Sequence, residues 1–113
     1  MKYQHGQVVS IPDPHETRPS RPAVIISDAD CPDFGRIYTV VALTTSVQYG
    51  TTRYGVKVAT DEPVDGELLA DSYIEPWATE QVVHEDIRDV HAKLGHETMK
   101  RLAKGFAEMI LVD

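Results

Sequence analysis

Two uninterrupted apolar runs constrain this chain more than any other feature. Ala23–Ile26 and Tyr38–Leu43 are short, largely β-branched, and apolar at successive positions. Runs of that length bounded by polar residues read as buried strands, covered on both faces, rather than as helices. Arg21-Pro22 opens the first run and Thr44-Thr45-Ser46 closes the second. The intervening Asp28–Gly35, with Pro32 and Gly35, reads as a turn. The pair therefore presents a cation and two hydroxyls near the ends of a sheet. That arrangement suits an anionic ligand, with phosphate as the first candidate.

The flanking segments continue the β pattern. Gln7–Ile11 is a β-rich run stopped by Pro12. The Pro12–Ser20 stretch carries three prolines and reads as an extended loop. Val47–Thr52 reads as a loop. Tyr54, Val56 and Val58 alternate with polar neighbours across Arg53–Thr60, the pattern of a half-buried strand. Asp61–Gly66 reads as a turn, and Glu67–Ala70 and Ser72–Trp77 as short strands, with Pro76 marking an edge or a bend. Glu80–Asp86 reads as one helical turn and Ile87–Leu94 as a strand. His96–Leu111 is the clearest helix, with Met99, Leu102, Ala103, Phe106, Met109 and Ile110 forming an apolar stripe. Gly105 weakens it slightly. Six or seven short strands before one helix imply a small, strongly bent sheet or half-open barrel with a helix on one face.

With 113 residues, 42% hydrophobic and 26% charged, one globular domain over 1–113 is expected. No apolar run is long enough to span a membrane. The opening residues, MKYQHGQVVSIP, lack the apolar core of a signal peptide. Cys31 is the only cysteine, so no disulfide forms within the chain, which fits a reducing cytoplasm. Eighteen acids against eleven bases give a net charge of −7, unusual for a protein that binds a polyanion. A local basic site under salt screening, or a high-salt cytoplasm, would reconcile the two.

Several short pieces in order resemble the MazF/PemK family of type II toxin–antitoxin toxins. Gly6 precedes an apolar strand, Glu16 lies five residues before Arg21-Pro22-Ala23-Val24, and the next strand ends in Thr44-Thr45. Gly66 then leads into Leu69-Ala70-Asp71, and a terminal helix follows. The resemblance covers nearly the whole chain. It implies a mainly β (α+β) fold, a small SH3-like, strongly bent β-barrel with a C-terminal helix, assembled as a homodimer. It also implies a cytoplasmic, metal-independent endoribonuclease without cofactors, acting on single-stranded RNA and held in check by a cognate antitoxin.

Such cleavage needs a base for the 2′ proton, a cation for the phosphorane oxygens and an acid for the leaving oxygen. Arg21 suits the clamp, because its planar fork holds two phosphate oxygens and its pKa makes it a poor base. The resemblance assigns a functional role to Thr44 and makes Glu16 the candidate base or orienter. His15 titrates near neutrality and could act as the acid. Thr45, Ser46, Asp71, Arg18 and Arg53 complete the expected substrate contacts, Asp71 by accepting from a base edge or orienting Arg21. Each also has a plain reading: a solvated arginine, threonines favoured at strand ends, a turn aspartate. The histidines His5, His84, His91 and His96 lack metal-ligand spacing, so no metal is expected.

Three positions depart from the family pattern. Glu16 is flanked by His15 and Thr17, Ser46 replaces a common glutamine, and Ile74, followed by Glu75, replaces a Lys or Arg. Losing a cation and gaining an anion weakens phosphate binding. The second expectation is therefore a non-catalytic module of the same fold, acting on a protein target or an antitoxin-like partner.

Overall fold

The computed structural model describes residues 2–13, 15, 17–50 and 53–112. Seven strands form one antiparallel sheet: β1 Gln7–Pro12, β2 Ser20–Ile25, β3 Ile37–Thr44, β4 Val56–Val58, β5 Asp65–Gly66, β6 Ser72–Val83 and β7 Val90–Lys93. Their spatial order is β4-β6-β3-β2-β1-β7-β5. A helical turn, α1 Val47–Gly50, follows β3, and the long helix α2 His96–Ile110 ends the fold.

The apolar runs are continuous because the bent sheet buries both of its faces. Val8, Val24, Val41 and Leu43 join one core with Val56, Val58, Ile74 and Leu102. Their immediate neighbours Val9, Ala23, Ile25 and Val40 point the other way, into a second core with Tyr38 and Ile87. Successive residues of β1, β2 and β3 thus feed opposite faces, as the period of a strand requires.

Helix α2 seals the first core. Leu102 is buried, with Met99 and Phe106 packed beside it. Burying a leucine side chain contributes about 1.5–3 kcal/mol. The stripe differs from the sequence expectation: Thr98 and Gly105 are buried, while Ala103 and Ile110 are exposed. Gly105 lies in this contact, packed against Tyr54 and Val56. A β-carbon there would stand 3.1 Å from the Tyr54 carbonyl oxygen, so glycine permits the close approach. Glu62, on the loop before β5, accepts from the Thr98 hydroxyl and pairs with Arg101, tying that loop to α2.

Several sequence expectations are corrected. Residues 47–50 are helical, only Val56–Val58 of 53–60 is strand, and 67–70 is not a strand. Residues 80–83 continue β6 and a 3-10 turn follows at His84–Asp86. Strand β6 lies inside the sheet, between β4 and β3. It tolerates Pro76 because the ladder is interrupted there. β3 and β6 pair at Val41↔Thr79 and again at Leu43↔Ile74, so one residue of β3 faces four of β6. Proline, lacking an N–H, fits such an irregularity.

Candidate functional site

Strand register brings the site together. β1 and β2 pair as far as Pro12↔Ser20, so the described residues 13, 15 and 17–19 belong to the connection of a hairpin. β2 and β3 pair at Ala23↔Ala42, Val24↔Val41 and Ile25↔Val40. Continuing that register sets Arg21 across from Thr44. Both line an open depression of about 540 Å³ with Asp13, His15, Glu75 and Trp77. Thr17 and Arg18 belong to its rim.

Arg21 is the centre of this depression. Its side chain is only 12% exposed, and its Nη2 lies 3.4 Å from Oε1 of Glu75, itself 11% exposed. Arg21 Nε is buried without a hydrogen-bond partner among the described residues. A buried donor left unsatisfied costs about 1–3 kcal/mol, so this edge of the guanidinium favours an acceptor. The Thr44 Oγ1 accepts the Ser46 N–H at 3.1 Å, which leaves the hydroxyl proton available for donation.

Asp13, absent from the sequence-based candidates, organises the loop. It is buried, and its Oδ1 accepts the His15 N–H at 3.0 Å while its Oδ2 accepts the Thr17 hydroxyl at 2.7 Å. Arg18 Nε lies 3.6 Å from Oδ2. The His15 amide first, then the Thr17 hydroxyl, with Arg21 and Arg18 adding their charge, hold the Asp13 carboxyl below its usual range. The signal for Asp13 was the Pro-Asp-Pro stretch followed by a hydroxyl residue, the composition of an Asx turn.

A second cavity, of about 350 Å³, also has Arg21 in its wall. Its walls include Val8, Pro22, Leu43 and Leu68, and Thr45 opens onto it. Ser10 Oγ and His91 Nε2 meet there at 2.6 Å. Leu69, fully exposed, stands on its rim.

The other expected residues separate into two groups. His15, Arg18, Thr44 and Thr45 border these cavities, and Ser46 supports Thr44. Asp71 and Arg53 do not reach Arg21. Asp71 accepts the Thr60 N–H and lies 3.8 Å from Lys57 Nζ, on the β4 side of the sheet. Arg53 sits over the Tyr54 ring beside a depression formed by the end of α2. Glu16 lies outside the described residues. Ile74, compared above with the family's cation, is fully buried in the first core, and the side chain facing Arg21 is Glu75.

The described residues contain no helix long and apolar enough to cross a membrane. Residues 5–110 match the family model described as PemK-like, MazF-like toxin of type II toxin–antitoxin system. Among the curated proteins, no sequence relative matches. Among solved structures, an endoribonuclease in complex with its cognate antitoxin from a mycobacterial species is similar, with a TM-score of 0.76 and 18% identity. It is matched over 98% of this chain and 97% of that one. The Mycobacterium tuberculosis toxin MazF-mt6 has a TM-score of 0.74 at 19% identity, covering 95% and 98% of the two chains. A MazE–MazF structure from Deinococcus radiodurans has 0.73 at 11% identity, covering 100% and 99%. At these identities the likeness is one of fold: a mostly antiparallel half-barrel with one C-terminal helix.

Proposed function

The chain belongs to the family of PemK-like, MazF-like toxins of type II toxin–antitoxin systems, and on that premise we propose that it cuts single-stranded RNA without a metal ion. The observation that carries this reading is the buried, unpartnered Nε of Arg21 beside Thr44 in an open depression. A nonbridging phosphate oxygen supplies the missing acceptor, and the guanidinium then stabilises the charge that grows on phosphorus. The Thr44 hydroxyl donates to the same phosphate. Attack of the 2′-oxygen forms the O2′–P bond and breaks the P–O5′ bond. His15, exposed on the rim, protonates the departing 5′-oxygen. Arg18 adds positive charge nearby, and Trp77, 42% exposed, offers a face on which a base stacks.

The partner is an antitoxin, as in the complexes of two of the similar structures. An acidic, disordered segment bearing apolar residues complements Arg18, Arg21, Leu69 and Trp77. The protein acts in the cytoplasm as a homodimer in this reading. Purified protein is expected to cleave single-stranded RNA in EDTA, and Arg21→Ala to lower kcat/KM by about 10²–10³ or more. RNA that stays intact from low salt to molar KCl rejects the proposal.

One observation favours the second reading, a binding module without nuclease activity. Glu75 already engages Arg21, and a carboxylate competes with phosphate. Toxicity that survives both Arg21→Ala and Thr44→Ala would select that reading.

A further inference from the structure

We propose that Glu75 is the general base that removes the 2′-hydroxyl proton, an inference that rests on the endoribonuclease reading above. Strand alternation brings this side chain to the site, because Arg21 shares its face of β2 with Ala23 and Ile25, the face turned away from Ile74. Ile74 packs into the first core and Glu75 turns to the opposite face, while Pro76, buried directly after it, breaks the alternation. Four residues of β6 spanning one of β3 give the strand this freedom.

Elimination among the carboxylates points the same way. Asp13 and Glu75 are the described carboxylates lining the depression with Arg21 and Thr44. Both Asp13 oxygens are engaged, one by the His15 amide and the other by the Thr17 hydroxyl. Asp13 therefore holds the loop. Glu75 meets Arg21 through one oxygen and one nitrogen at 3.4 Å, rather than through a two-pronged contact. A pair built only for cohesion gains most from the bidentate fork. This one leaves the Nε of the guanidinium buried and without an acceptor among the described residues.

The planar cation can therefore hold two anions on different edges. Phosphate takes the Nε edge while Glu75 keeps Nη2. That sets the carboxylate beside the phosphate, where the neighbouring 2′-hydroxyl can reach the range of about 2.6–3.2 Å that proton transfer needs. Glu75 takes the 2′ proton as the O2′–P bond forms. The P–O5′ bond breaks and the 5′-oxygen receives a proton from His15. The products are a 2′,3′-cyclic phosphate and a 5′-hydroxyl. Each turnover moves one proton onto Glu75 and one off His15, and exchange with water resets both.

The test compares wild type with Glu75→Gln on a short single-stranded RNA in EDTA, recording kcat/KM against pH. Binding is measured separately with the fully 2′-O-methylated form of the same oligonucleotide. The variant is expected to bind the analogue at least as tightly as wild type, because a negative charge has gone. Its kcat falls by about 10²–10⁴, and the acid limb of the wild-type profile disappears. An acid limb that persists in Glu75→Gln, or a rise in kcat, overturns the inference. So does an acid limb that Glu16→Gln removes and Glu75→Gln retains. Should Glu75→Gln fail to fold, carbon-13 NMR titration of the Glu75 carboxyl in wild type replaces it. Its midpoint is expected to coincide with the kinetic acid limb, and separation by more than about one pH unit overturns the assignment. Wild type that leaves RNA intact rejects the endoribonuclease reading and this inference together. Wild-type cleavage with an unaltered variant profile rejects this inference alone.

Discussion

Replacing either partner of the Arg21–Glu75 pair should expose how strongly the fold depends on their meeting. Both side chains are close to nine-tenths buried, and their charged atoms are 3.4 Å apart. At an effective dielectric of about 20, that distance corresponds to roughly 5 kcal/mol of attraction before desolvation is counted. Arg21→Met leaves Glu75 buried without its cation, and is expected to cost about 3–4 kcal/mol. Glu75→Met should cost less, about 2–3 kcal/mol, because Asp13 still acts on Arg21. The double variant replaces a buried ion pair by apolar groups, and is expected within about 1 kcal/mol of wild type. Urea unfolding measures all four proteins. With a slope of about 1.5 kcal/mol/M, Arg21→Met lowers the midpoint by about 2 M while the slope stays constant. Additive losses in the double variant, to within about 0.5 kcal/mol, would refute the coupling.

Two further outcomes follow from local geometry. Gly66 has φ +68°, and a β-carbon there would stand 2.4 Å from the His91 carbonyl oxygen. Gly66→Ala is expected to cost more than about 1 kcal/mol and lower Tm by at least about 4 °C, and an unchanged melting curve contradicts this. The Asp13 carboxyl is held lower in the folded chain than in the unfolded one. Its stabilisation is therefore full above the unfolded value, near 3.9, and is lost as pH falls through the folded value. Asp13→Asn should remove that part of the acid dependence when urea midpoints at pH 7 and pH 3 are compared, and parallel curves for both proteins refute it.

The central strands were legible because burial on both faces leaves an unambiguous mark, a run of apolar residues with no polar alternation. Ile37–Thr44 differs from the expected strand by one residue at each end. Strand β6 was not legible over its full length. Pro76 divides it, and its outer half alternates exposed Thr79, Gln81 and Val83 with less exposed neighbours among charged side chains. A local reading takes such a stretch for a helical turn. β5 is two residues long and exists only through pairing with β7, so no periodicity could announce it.

The same physics divides the site. Arg21 stood out as a cation at the mouth of an apolar run, and Thr44 as the hydroxyl at the end of the next. Their closeness depends on β2–β3 register, which the intervening turn sets. Glu75 was read only as an anion beside Ile74, because local sequence does not show that β6 lies next to β3, one strand from Arg21. Asp71 and Arg53 were linked to Arg21 through chain order, which says nothing of the Lys57 contact or the Tyr54 ring that hold them elsewhere.

The most direct test of the central claim is the chemistry of the RNA ends. Mass spectrometry of fragments produced in EDTA should find 2′,3′-cyclic phosphates and 5′-hydroxyls with wild type, and neither with Arg21→Ala. Fragments with 5′-phosphates, or equal cleavage by the variant, would contradict an in-line attack by the 2′-oxygen at an Arg21-clamped phosphate.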